Sequence, residues 1–473
     1  MKNRGTLMTA FFAALAAGWT GGSAGAADLG DGFALESGDA ALDGAYRKAL
    51  GVITSDVKDG KFLAGQNWAQ VWTRDTSYSV ELACALLHPD VSRTTLLGLT
   101  QEVEGIGECW YQDKCGHFAG WPNLTDAIVG AQGAWSLYLV TGDRSLVKPI
   151  YERTLRSLQR AERDAFNKEL GLFGGCSTFM ESNSGYPRKY AMKGEMIAKT
   201  CALSTCLLHH RGYQVAAAAG RVLGLDVGAL EEKAERLKKA INAKLWMPDK
   251  GYYAYYLDES GKLNKNMEGM GEALAILNGV ADAEKAKQIL QKTPVTPWGI
   301  PCQWPQYPEW MDYKKGDADY YHNGMIWPFV QGYWAWAATT MKDTEIFARE
   351  LDALLRLAAK SDTFMEFYRP EDGAPDGSPR QLWSASGFLS MVYHGLFGMS
   401  FEQGGIRFAP VVPAPSKEMK LTGVKYRAAV LNLTVRGNGT RVTAFRLDGA
   451  TKTDPFFDGT LQGTHTVEIE MAR

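Results

Sequence analysis

Two glutamates, Glu181 and Glu366, lie in loops whose neighbouring residues suit carboxyl groups for acid–base chemistry. Glu181 stands between Phe179-Met180 and Ser182-Asn183-Ser184, where partial desolvation would favour the protonated form that a general acid needs. Glu366 follows the apolar residues Phe364-Met365 and precedes a loop rich in Gly and Pro, a position suited to a group that activates water. The ordinary alternatives are a solvated loop glutamate for Glu181 and a capping or ion-paired glutamate for Glu366.

Two further loops place polar side chains beside aromatic rings at the starts of predicted helices. In chain order these residues are Trp72, Arg74, Asp75, His322, Asn323 and Trp327. An Arg–Asp pair at a helix start orients several hydroxyl groups at once, because guanidinium donates and carboxylate accepts hydrogen bonds in fixed directions. A simple helix N-cap is the alternative for Asp75, and a helix-end or core histidine is the alternative for His322.

The composition favours an uncharged partner with flat apolar faces. Lys plus Arg (51) nearly balance Asp plus Glu (53), and no dense basic run is present, so the charge pattern expected of a nucleic-acid-binding protein is missing. Many of the 14 Trp and 20 Tyr residues stand beside Pro, Gly or charged residues. Sugar rings stack on such aromatic faces while their hydroxyls bind charged or amide groups, although large cores also collect Trp.

The elements that must position these loops are predominantly helical from about Leu42 to Met399. Twelve helices are predicted, at residues 42–56, 75–88, 92–104, 125–141, 143–164, 192–223, 227–244, 268–279, 282–292, 323–340, 343–359 and 383–397. Six antiparallel pairs closed into a ring would bury the inner helices on all sides. Thr125–Val140, Ala202–Ala219 and Asn323–Ala338 are apolar enough to be inner helices, whereas Leu230–Lys244 has the polar face of an outer one. We therefore predict an all-α toroid over residues 27–400.

The two ends of the chain differ from the helical region. Lys2 and Arg4, the apolar run Leu7–Trp19 and the small residues Ala24-Gly25-Ala26 predict a signal peptide over residues 1–26. The apolar run is short for a membrane span, which favours a cleaved signal over the alternative, an uncleaved membrane anchor. The signal predicts export to the periplasm or the extracellular space, with no membrane span after cleavage. Residues 401–473 alternate apolar and polar residues, which predicts a small antiparallel β-domain, with Gly437-Asn438-Gly439 as a tight hairpin turn.

The seven cysteines are too few for a disulfide scaffold in a chain of this length. Cys109 and Cys115 flank a short loop that a disulfide could close. Cys201 and Cys206 lie near His209 and His210 in an apolar helical stretch, and buried structural residues are favoured there over metal ligands. We expect neither a metal nor an organic cofactor.

Four strings of residues together resemble a known family. They are Trp72-Thr73-Arg74-Asp75-Thr76, Phe179-Met180-Glu181-Ser182-Asn183, His322-Asn323-Gly324-Met325-Ile326-Trp327-Pro328, and Met365-Glu366-Phe367-Tyr368-Arg369-Pro370 followed by Gln381-Leu382-Trp383-Ser384-Ala385-Ser386-Gly387. In this order they resemble the six-hairpin, (α/α)6 toroid glycoside hydrolases: the mannosylglycerate hydrolase and processing α-glucosidase group, the trehalases and the glycogen-debranching glucosidases. The resemblance covers about residues 67–399.

The resemblance implies a role for each matching residue. Glu181 takes the place of the general acid, where relatives usually carry Asp, and Glu366 that of the catalytic base. Asp75 matches an aspartate that binds the sugar. The resemblance further implies sugar-hydroxyl contacts from Arg74, His322 and Asn323, and pocket walls formed by Trp72, Trp121, Trp327 and Trp383. Asp126 is the reserve candidate for the acid, although a helix N-cap or a sugar-binding residue is the favoured interpretation.

Members of this group invert the anomeric configuration, which requires the two carboxyl groups to lie roughly 6.5–9.5 Å apart, with a water between base and sugar. The expected activity is therefore inverting, exo-acting hydrolysis of an α-linked hexose from an oligosaccharide or polysaccharide. Three alternatives remain: an inverting phosphorylase, a polysaccharide lyase on the same toroid, and a non-catalytic sugar-binding protein. The sequence makes no prediction about oligomeric state.

Overall fold

The computed structural model describes residues 33–113, 120–181, 183–190, 193–311, 320–416 and 418–472. Twelve principal helices lie within these residues: α1 Ala40–Ser55, α2 Thr73–Ser79, α3 Pro89–Gly98, α4 Val129–Thr141, α5 Val147–Asp164, α6 Leu203–Val222, α7 Gly228–Lys244, α8 Gly269–Leu277, α9 Ala283–Lys292, α10 Pro328–Thr340, α11 Thr344–Ala358 and α12 Leu382–Ser390. Two of them continue as π-helix: α2 through Val80–Cys84, followed by Ala85–Leu87, and α12 through Met391–Leu396. A single helical turn at Gly194–Ile197 precedes α6.

The even-numbered and odd-numbered helices differ in burial. Every residue from Gly269 to Ile276 of α8 is buried, as is every residue of α2. In contrast, α5 buries one face, which includes Val147, Ile150 and Leu158. An apolar stripe on one face and a polar opposite face are typical of a helix that packs on one side only.

The contacts among the even-numbered helices follow a cyclic order. Helix α2 packs against α4, α4 against α6, α6 against α8, α8 against α10, α10 against α12, and α12 against α2. Each odd-numbered helix packs against at least one even-numbered helix. The even-numbered helices therefore form the inner layer and the odd-numbered helices the outer layer.

All twelve predicted helices are present, and two of them depart clearly from their predicted bounds, beyond shifts of a few residues at the ends of others. The predicted helix 192–223 starts at Leu203 because Cys201–Ala202 pairs with Tyr256–Leu257 as a strand. The predicted helix 92–104 is Pro89–Gly98: Pro89 stands at the first helical position, and Thr100–Val103 forms a strand pair with Gly107–Trp110.

Short strand pairs connect several of the helices. They are Val57–Lys58 with Lys61–Phe62, Phe166–Asn167 with Leu172–Phe173, Trp246–Met247 with Tyr252–Tyr253, Tyr256–Leu257 with Leu263–Asn264, Met267–Glu268 with Gln303–Trp304, and Phe367–Tyr368 with Pro375–Asp376. These pairs give several loops a defined geometry, including the loop that carries Glu366.

Nine strands form the two remaining sheets: β1 Ala34–Glu36, β2 Met399–Glu402, β3 Gly405–Phe408, β4 Glu418–Tyr426, β5 Ala429–Arg436, β6 Arg441–Leu447, β7 Ala450–Lys452, β8 Phe456–Asp458 and β9 Gly463–Ala472. The larger sheet has the order β1-β4-β5-β9-β6-β7, and the smaller sheet has the order β2-β3-β8. The C-terminal region is therefore β-structured as predicted, and it gains one strand from the residues before α1.

The predicted hairpin at Gly437-Asn438-Gly439 is wrong. Strands β5 and β6 are not neighbours: β9 lies between them, parallel to β5 and antiparallel to β6. Val467 and Ile469 of β9 pair with Leu433 and Val435 of β5, and all four side chains are buried. Strand β9 is therefore the neighbour of β5, whereas the sequence pattern predicted that β6 would be.

Some predictions fall outside the described residues. These are the signal peptide over residues 1–26, Cys115 with the proposed disulfide to Cys109, and Ser182 beside Glu181. Within the described residues, no helix combines the length and apolar character that crossing a membrane requires.

Candidate active site

The contacts of the even-numbered inner helices close into a ring, and all six helices begin at the same end of that ring. Contacts between residues at neighbouring helix starts show this. At the starts of α12 and α2, Gln381 Nε2 donates to Asp75 Oδ1 at 3.3 Å, and at those of α10 and α12 the rings of Trp327 and Trp383 lie 5.6 Å apart. At the start of α6, Ser204 N donates to Glu268 Oε2, before α8, at 2.9 Å, and Thr205 Oγ1 donates to Leu124 O, before α4, at 3.2 Å. Helix N-termini carry partial positive charge and stabilise nearby carboxylates by about 0.3–1 kcal/mol each. This end of the ring is therefore suited to hold several acidic side chains.

Glu366 is held there by three hydrogen-bond donors and is 2% exposed. Its Oε1 accepts from Trp68 Nε1 at 2.9 Å and from the hydroxyl of Tyr321, and its Oε2 accepts from the backbone N–H of Ser378 at 2.7 Å. Its own N–H donates to the carbonyl of Ser378 at 2.9 Å. Several donors aimed at one carboxylate favour its ionised form.

The loop geometry around Glu366 depends on Gly377. This glycine has φ +73°, and a Cβ added to it would lie 2.6 Å from Glu366 Oε2. A side chain there would meet both backbone strain and the carboxylate. Gly377 therefore lets the returning strand Pro375–Asp376 approach the glutamate closely.

Glu181 forms an ion pair with Arg74 on the same end of the ring. Arg74 Nη1 lies 3.0 Å from Glu181 Oε2, and Arg74 Nε lies 3.9 Å from Asp126 Oδ2. The guanidinium also lies 5.9 Å from the ring centroid of Trp72. The structure thus brings together four of the predicted site residues, with Arg74 in contact with the other three.

Three aspartates beside Arg74 lie in a strongly desolvated environment. Burial raises the pKa of Asp75 to about 8, with Arg74 opposing the shift and Asp113 and Glu366 adding to it. Burial also raises the pKa of Asp113, and burial together with Asp113 raises that of Asp126 well above its usual range. Asp113 accepts from Thr73 N at 2.8 Å, and its own N–H donates to Asp126 Oδ2 at 3.3 Å. Asp75 therefore retains its proton near neutral pH, and burial makes Asp113 and Asp126 easier to protonate than exposed aspartates.

Tyr321 contacts Glu366 and lies within electrostatic range of Glu181. Burial raises its pKa well above the usual range, and the charges of Glu366, Glu181 and Asp75 raise it further. Its hydroxyl is therefore harder to ionise than that of an exposed tyrosine. The charges of Glu181 and Glu366 thus both act on the hydroxyl of Tyr321.

The predicted tryptophan walls fall into two groups. Trp327 and Trp383 are only 1% and 4% exposed. Trp327 stacks on Phe367 at 5.3 Å and Trp383 on Phe329 at 4.2 Å. They are therefore packed among other aromatic rings and have little surface exposed to a ligand. Trp72 is partly buried, and its ring lies 5.7 Å from that of the partly buried Trp68, so this pair has faces available to a ligand.

His322 and Asn323 lie at the same end of the ring, where both side chains contact other residues of the protein. Burial, reinforced by the charge of Arg74, lowers the pKa of His322 to about 3, so its ring is neutral, and it stacks on Trp327 at 5.3 Å. The Asn323 carboxamide accepts from Tyr307 N at 2.7 Å and from Gln303 Nε2 at 3.0 Å, and it donates to Tyr307 O at 3.0 Å. Asn323 thus anchors the loop at Tyr307, a different task from the predicted contact with sugar hydroxyls.

Trp121 does not share a contact with the glutamates. Its Nε1 donates to Asp164 Oδ2 at 2.8 Å, and the guanidinium of Arg160 lies 3.6 Å from its ring centroid. Both partners belong to the C-terminal part of the outer helix α5. Trp121, which was predicted to be a pocket wall, is therefore held against the outer helix α5 in the structure.

Several site residues were not predicted from the sequence. Trp68 lies four residues before the string that starts at Trp72, and Tyr321 directly precedes the string that starts at His322. Each side chain can donate a hydrogen bond to a carboxylate, and this was the signal that the sequence offered. Asp113 lies outside the quoted strings, and Gln381 lies within one of them, but nothing in the sequence pointed to its contact with Asp75.

Glu268 is another unpredicted residue, and it fixes the loop that leads to Glu181. It is fully buried and accepts hydrogen bonds from the hydroxyls of Ser177 and Ser204. Burial raises its pKa to about 7, with these serine donors opposing the shift. Ser177 lies four residues before Glu181 in the same loop, so Glu268 ties that loop to the start of α6.

A metal site is not found among the described residues, where no three His, Cys, Asp or Glu side chains converge in the way that would hold an ion. The chemistry available at this end of the ring is that of carboxyl groups, a guanidinium, a phenol and indole rings. These groups transfer protons and bind hydroxyl-rich ligands.

Comparison with known proteins relates this arrangement to one class of enzymes. Residues 187–384 match the mannosylglycerate hydrolase MGH1-like glycoside hydrolase domain. The chain is similar in structure to the GH63 mannosylglycerate hydrolase from Thermus thermophilus in complex with Tris, with TM-score 0.58 and 15% identity over 74% of this chain and 100% of that one. Comparison with curated protein sequences gave no match.

Two rhamnosidases share the fold over larger parts of this chain. The GH78 family rhamnosidase of Bacillus sp. GL1 has TM-score 0.64 and 14% identity over 94% of this chain and 44% of that one. The Streptomyces avermitilis α-L-rhamnosidase complexed with L-rhamnose has TM-score 0.59 and 12% identity over 83% of this chain and 35% of that one.

These findings confirm the resemblance predicted from the sequence, that of a six-hairpin glycoside hydrolase nearest to mannosylglycerate hydrolase. The chain is accordingly a hydrolase of O-glycosyl bonds. The matched residues include Glu366, His322 and Trp383, while Glu181 and Arg74 precede them.

Proposed function

We propose that the protein is an inverting, exo-acting glycoside hydrolase that releases an α-linked hexose from an oligosaccharide, with Glu181 as general acid and Glu366 as general base. The observation that carries this proposal is the position of Tyr321, which donates to Glu366 and whose pKa is raised by the charges of both glutamates. Two carboxyl groups on opposite sides of one sugar-binding space are what an inverting mechanism requires.

Glu366 has the environment of a base. Its three donors favour the carboxylate, which takes a proton from the water that attacks the anomeric carbon. The oxygen of that water forms the new bond to the sugar, and the glycosidic bond breaks on the opposite face. The product anomer is then opposite to that of the substrate.

Glu181 donates the second proton, which goes to the leaving glycosidic oxygen. In the unliganded protein Arg74 balances the charge of Glu181. Arg74 also lies 3.9 Å from Asp126, so the guanidinium keeps a second polar neighbour when the contact with Glu181 changes.

The cyclic packing order of the even-numbered helices supports a six-hairpin toroid with this site at its mouth. Trp68 and Trp72 supply partly exposed aromatic faces for a sugar ring, and Arg74 and Asp75 supply donors and acceptors for its hydroxyls. We also propose that the protein acts after export, on the strength of the sequence pattern of residues 1–26.

The test is a panel of α-gluco-, α-manno- and other oligosaccharides with the purified protein, with NMR of the first-formed anomer. We expect free sugar of inverted configuration, released without phosphate and without absorbance from a new C=C bond. Phosphate-dependent turnover would identify a phosphorylase, and a new C=C bond a lyase.

Substitution of the base completes this test. Glu366→Gln should fold normally and lose several orders of magnitude in turnover, while Glu371→Gln, an exposed glutamate in the same loop, should keep its activity. Activity of Glu366→Gln near that of the unsubstituted protein would reject Glu366 as base. Sugar binding without any turnover would indicate a non-catalytic binding protein.

A further inference from the structure

The oxygen Oε1 of Glu366 receives two side-chain donors from different parts of the chain. One is the indole N–H of Trp68, in the loop before α2, and the other is the hydroxyl of Tyr321, in the loop before α10. The third donor, Ser378 N, belongs to the same hairpin as Glu366 and binds Oε2. Two donors from outside the hairpin thus determine how the carboxylate is turned.

The ring of Tyr321 is itself held in one orientation. Its centroid lies 4.6 Å from that of His322, 5.1 Å from that of Trp327 and 5.1 Å from that of Phe367, each in an edge-to-face arrangement. Edge-to-face packing on several sides limits rotation of the ring about its side-chain bonds. The hydroxyl is therefore aimed before any ligand binds.

A carboxylate that activates water must keep one orientation through the reaction, because proton transfer depends steeply on distance and direction. We propose that Tyr321, together with Trp68, is a positioning residue that holds Oε1 of Glu366 and keeps the base ionised and correctly turned. This inference rests on the proposed function. Neither residue needs to exchange a proton with substrate for this role.

The donors should act on both the rate and the pH dependence. Each one stabilises the charged form of Glu366 and has no equivalent interaction with the protonated form. Removing one therefore makes the carboxylate easier to protonate, and the acidic limb of the pH–rate profile moves to higher pH. A purely structural contact would lower activity without moving this limb.

The experiment compares Tyr321→Phe with Tyr320→Phe, on the most rapidly cleaved substrate of the oligosaccharide panel. Tyr320 is the adjacent residue, and its hydroxyl donates to Asp376 Oδ2 at 2.5 Å instead of to the base. We expect Tyr321→Phe to lower kcat about 10- to 100-fold, as for loss of one hydrogen bond to a charged group, with little change in KM. The acidic limb should move up by about one pH unit. Tyr320→Phe should leave that limb in place.

An unchanged acidic limb in Tyr321→Phe would overturn the inference, whatever the effect on kcat. Should Tyr321→Phe fail to fold, Trp68→Phe removes the other donor to the same oxygen from a partly exposed position. An unmoved limb in that variant would overturn the inference equally.

Glu366→Gln separates this inference from the proposed function. If Glu366→Gln is inactive and Tyr321→Phe has the pH profile of the unsubstituted protein, only the positioning role fails. If Glu366→Gln is active, the proposed function fails. Where both hold, adding Tyr321→Phe to Glu366→Gln should cause no further loss of kcat, because the carboxylate that Tyr321 serves is already gone.

Discussion

The guanidinium of Arg74 and the carboxylate of Glu181 lie 3.0 Å apart, with side-chain exposures of 3% and 12%. Taking either charge out of water is costly, so each stabilises the other and the loss of one leaves the other unbalanced. Asp126 and Asp113 lie beside the pair, so Arg74 offsets the repulsion among several acidic groups. Arg74 therefore links the stability of this end of the ring to its chemistry.

Arg74→Met should destabilise the protein and abolish activity. Removing one partner of a buried pair costs about 3–5 kcal/mol in the free energy of unfolding, measured by chemical denaturation at pH 8. The cost should be smaller at pH 5, because the neighbouring acids can then take up protons. The control is Arg93→Met, which breaks the exposed pair Arg93–Asp143 and should cost less than about 1 kcal/mol. Equal losses in the two variants would contradict a special role for Arg74.

Glu181→Gln should show a strong dependence on the leaving group. A natural alcohol leaving group needs a proton, whereas the fluoride of a glycosyl fluoride or an acidic phenol departs without one. We expect Glu181→Gln to lose about 10²- to 10⁴-fold in kcat on an oligosaccharide and to recover most of it on the corresponding glycosyl fluoride. Glu366→Gln should remain inactive on both substrates because the attacking water still needs a base. Similar losses for Glu181→Gln on both substrates would remove it as the acid.

Asp75→Asn should change how stability depends on pH. The pKa of Asp75 rises from 3.8 to about 8 on burial, so between these values the folded protein holds a proton that the unfolded chain releases. The free energy of unfolding therefore falls as pH rises through this window, by at most about 1.4 kcal/mol per pH unit for this group.

Asp75→Asn removes that contribution, so its free energy of unfolding should fall less between pH 5 and pH 8 than that of the unsubstituted protein. Denaturant titrations at the two pH values measure the difference. Asp90→Asn, at an exposed aspartate, should retain the original slope. An unchanged slope in Asp75→Asn would show that the group is already ionised in the folded state.

Gly377→Ala should damage the base more than it damages the fold. Both Gly377 (φ +73°) and Gly60 (φ +71°) occupy the left-handed region, but only at Gly377 would an added Cβ meet the base, 2.6 Å from Glu366 Oε2. Gly60→Ala, with nothing within 4 Å of its Cβ, isolates the backbone cost of about 1–2 kcal/mol. We expect Gly377→Ala to exceed that cost and to lower kcat at least about 10-fold, while Gly60→Ala keeps its kcat. Equal kcat values would exclude a steric effect on Glu366.

The helices and the loops that begin them were predictable because their signals are local. Apolar periodicity identified twelve helices. The contrast between the largely apolar, uncharged Asn323–Ala338 stretch and the charged Leu230–Lys244 stretch separated inner from outer helices. Asp75 and Glu366 were identifiable as candidates from their neighbours in the sequence, which place Asp75 at a helix start and Glu366 at the start of a Gly- and Pro-rich loop. The resemblance to known glycosidases rested on the same short strings.

The sequence by itself determined which segments are helical, which end of each inner helix carries polar residues and which acids are candidates. Only the tertiary structure decided what those acids contact. Tyr321 and Trp68 reach Glu366 across 45 and 298 residues of chain, and β9 displaces β6 as the neighbour of β5. Asn323 binds the backbone of Tyr307, and Trp121 packs on α5, for the same reason. Hydrogen bonds and packing between distant segments depend on three-dimensional proximity, which periodicity along the chain does not encode.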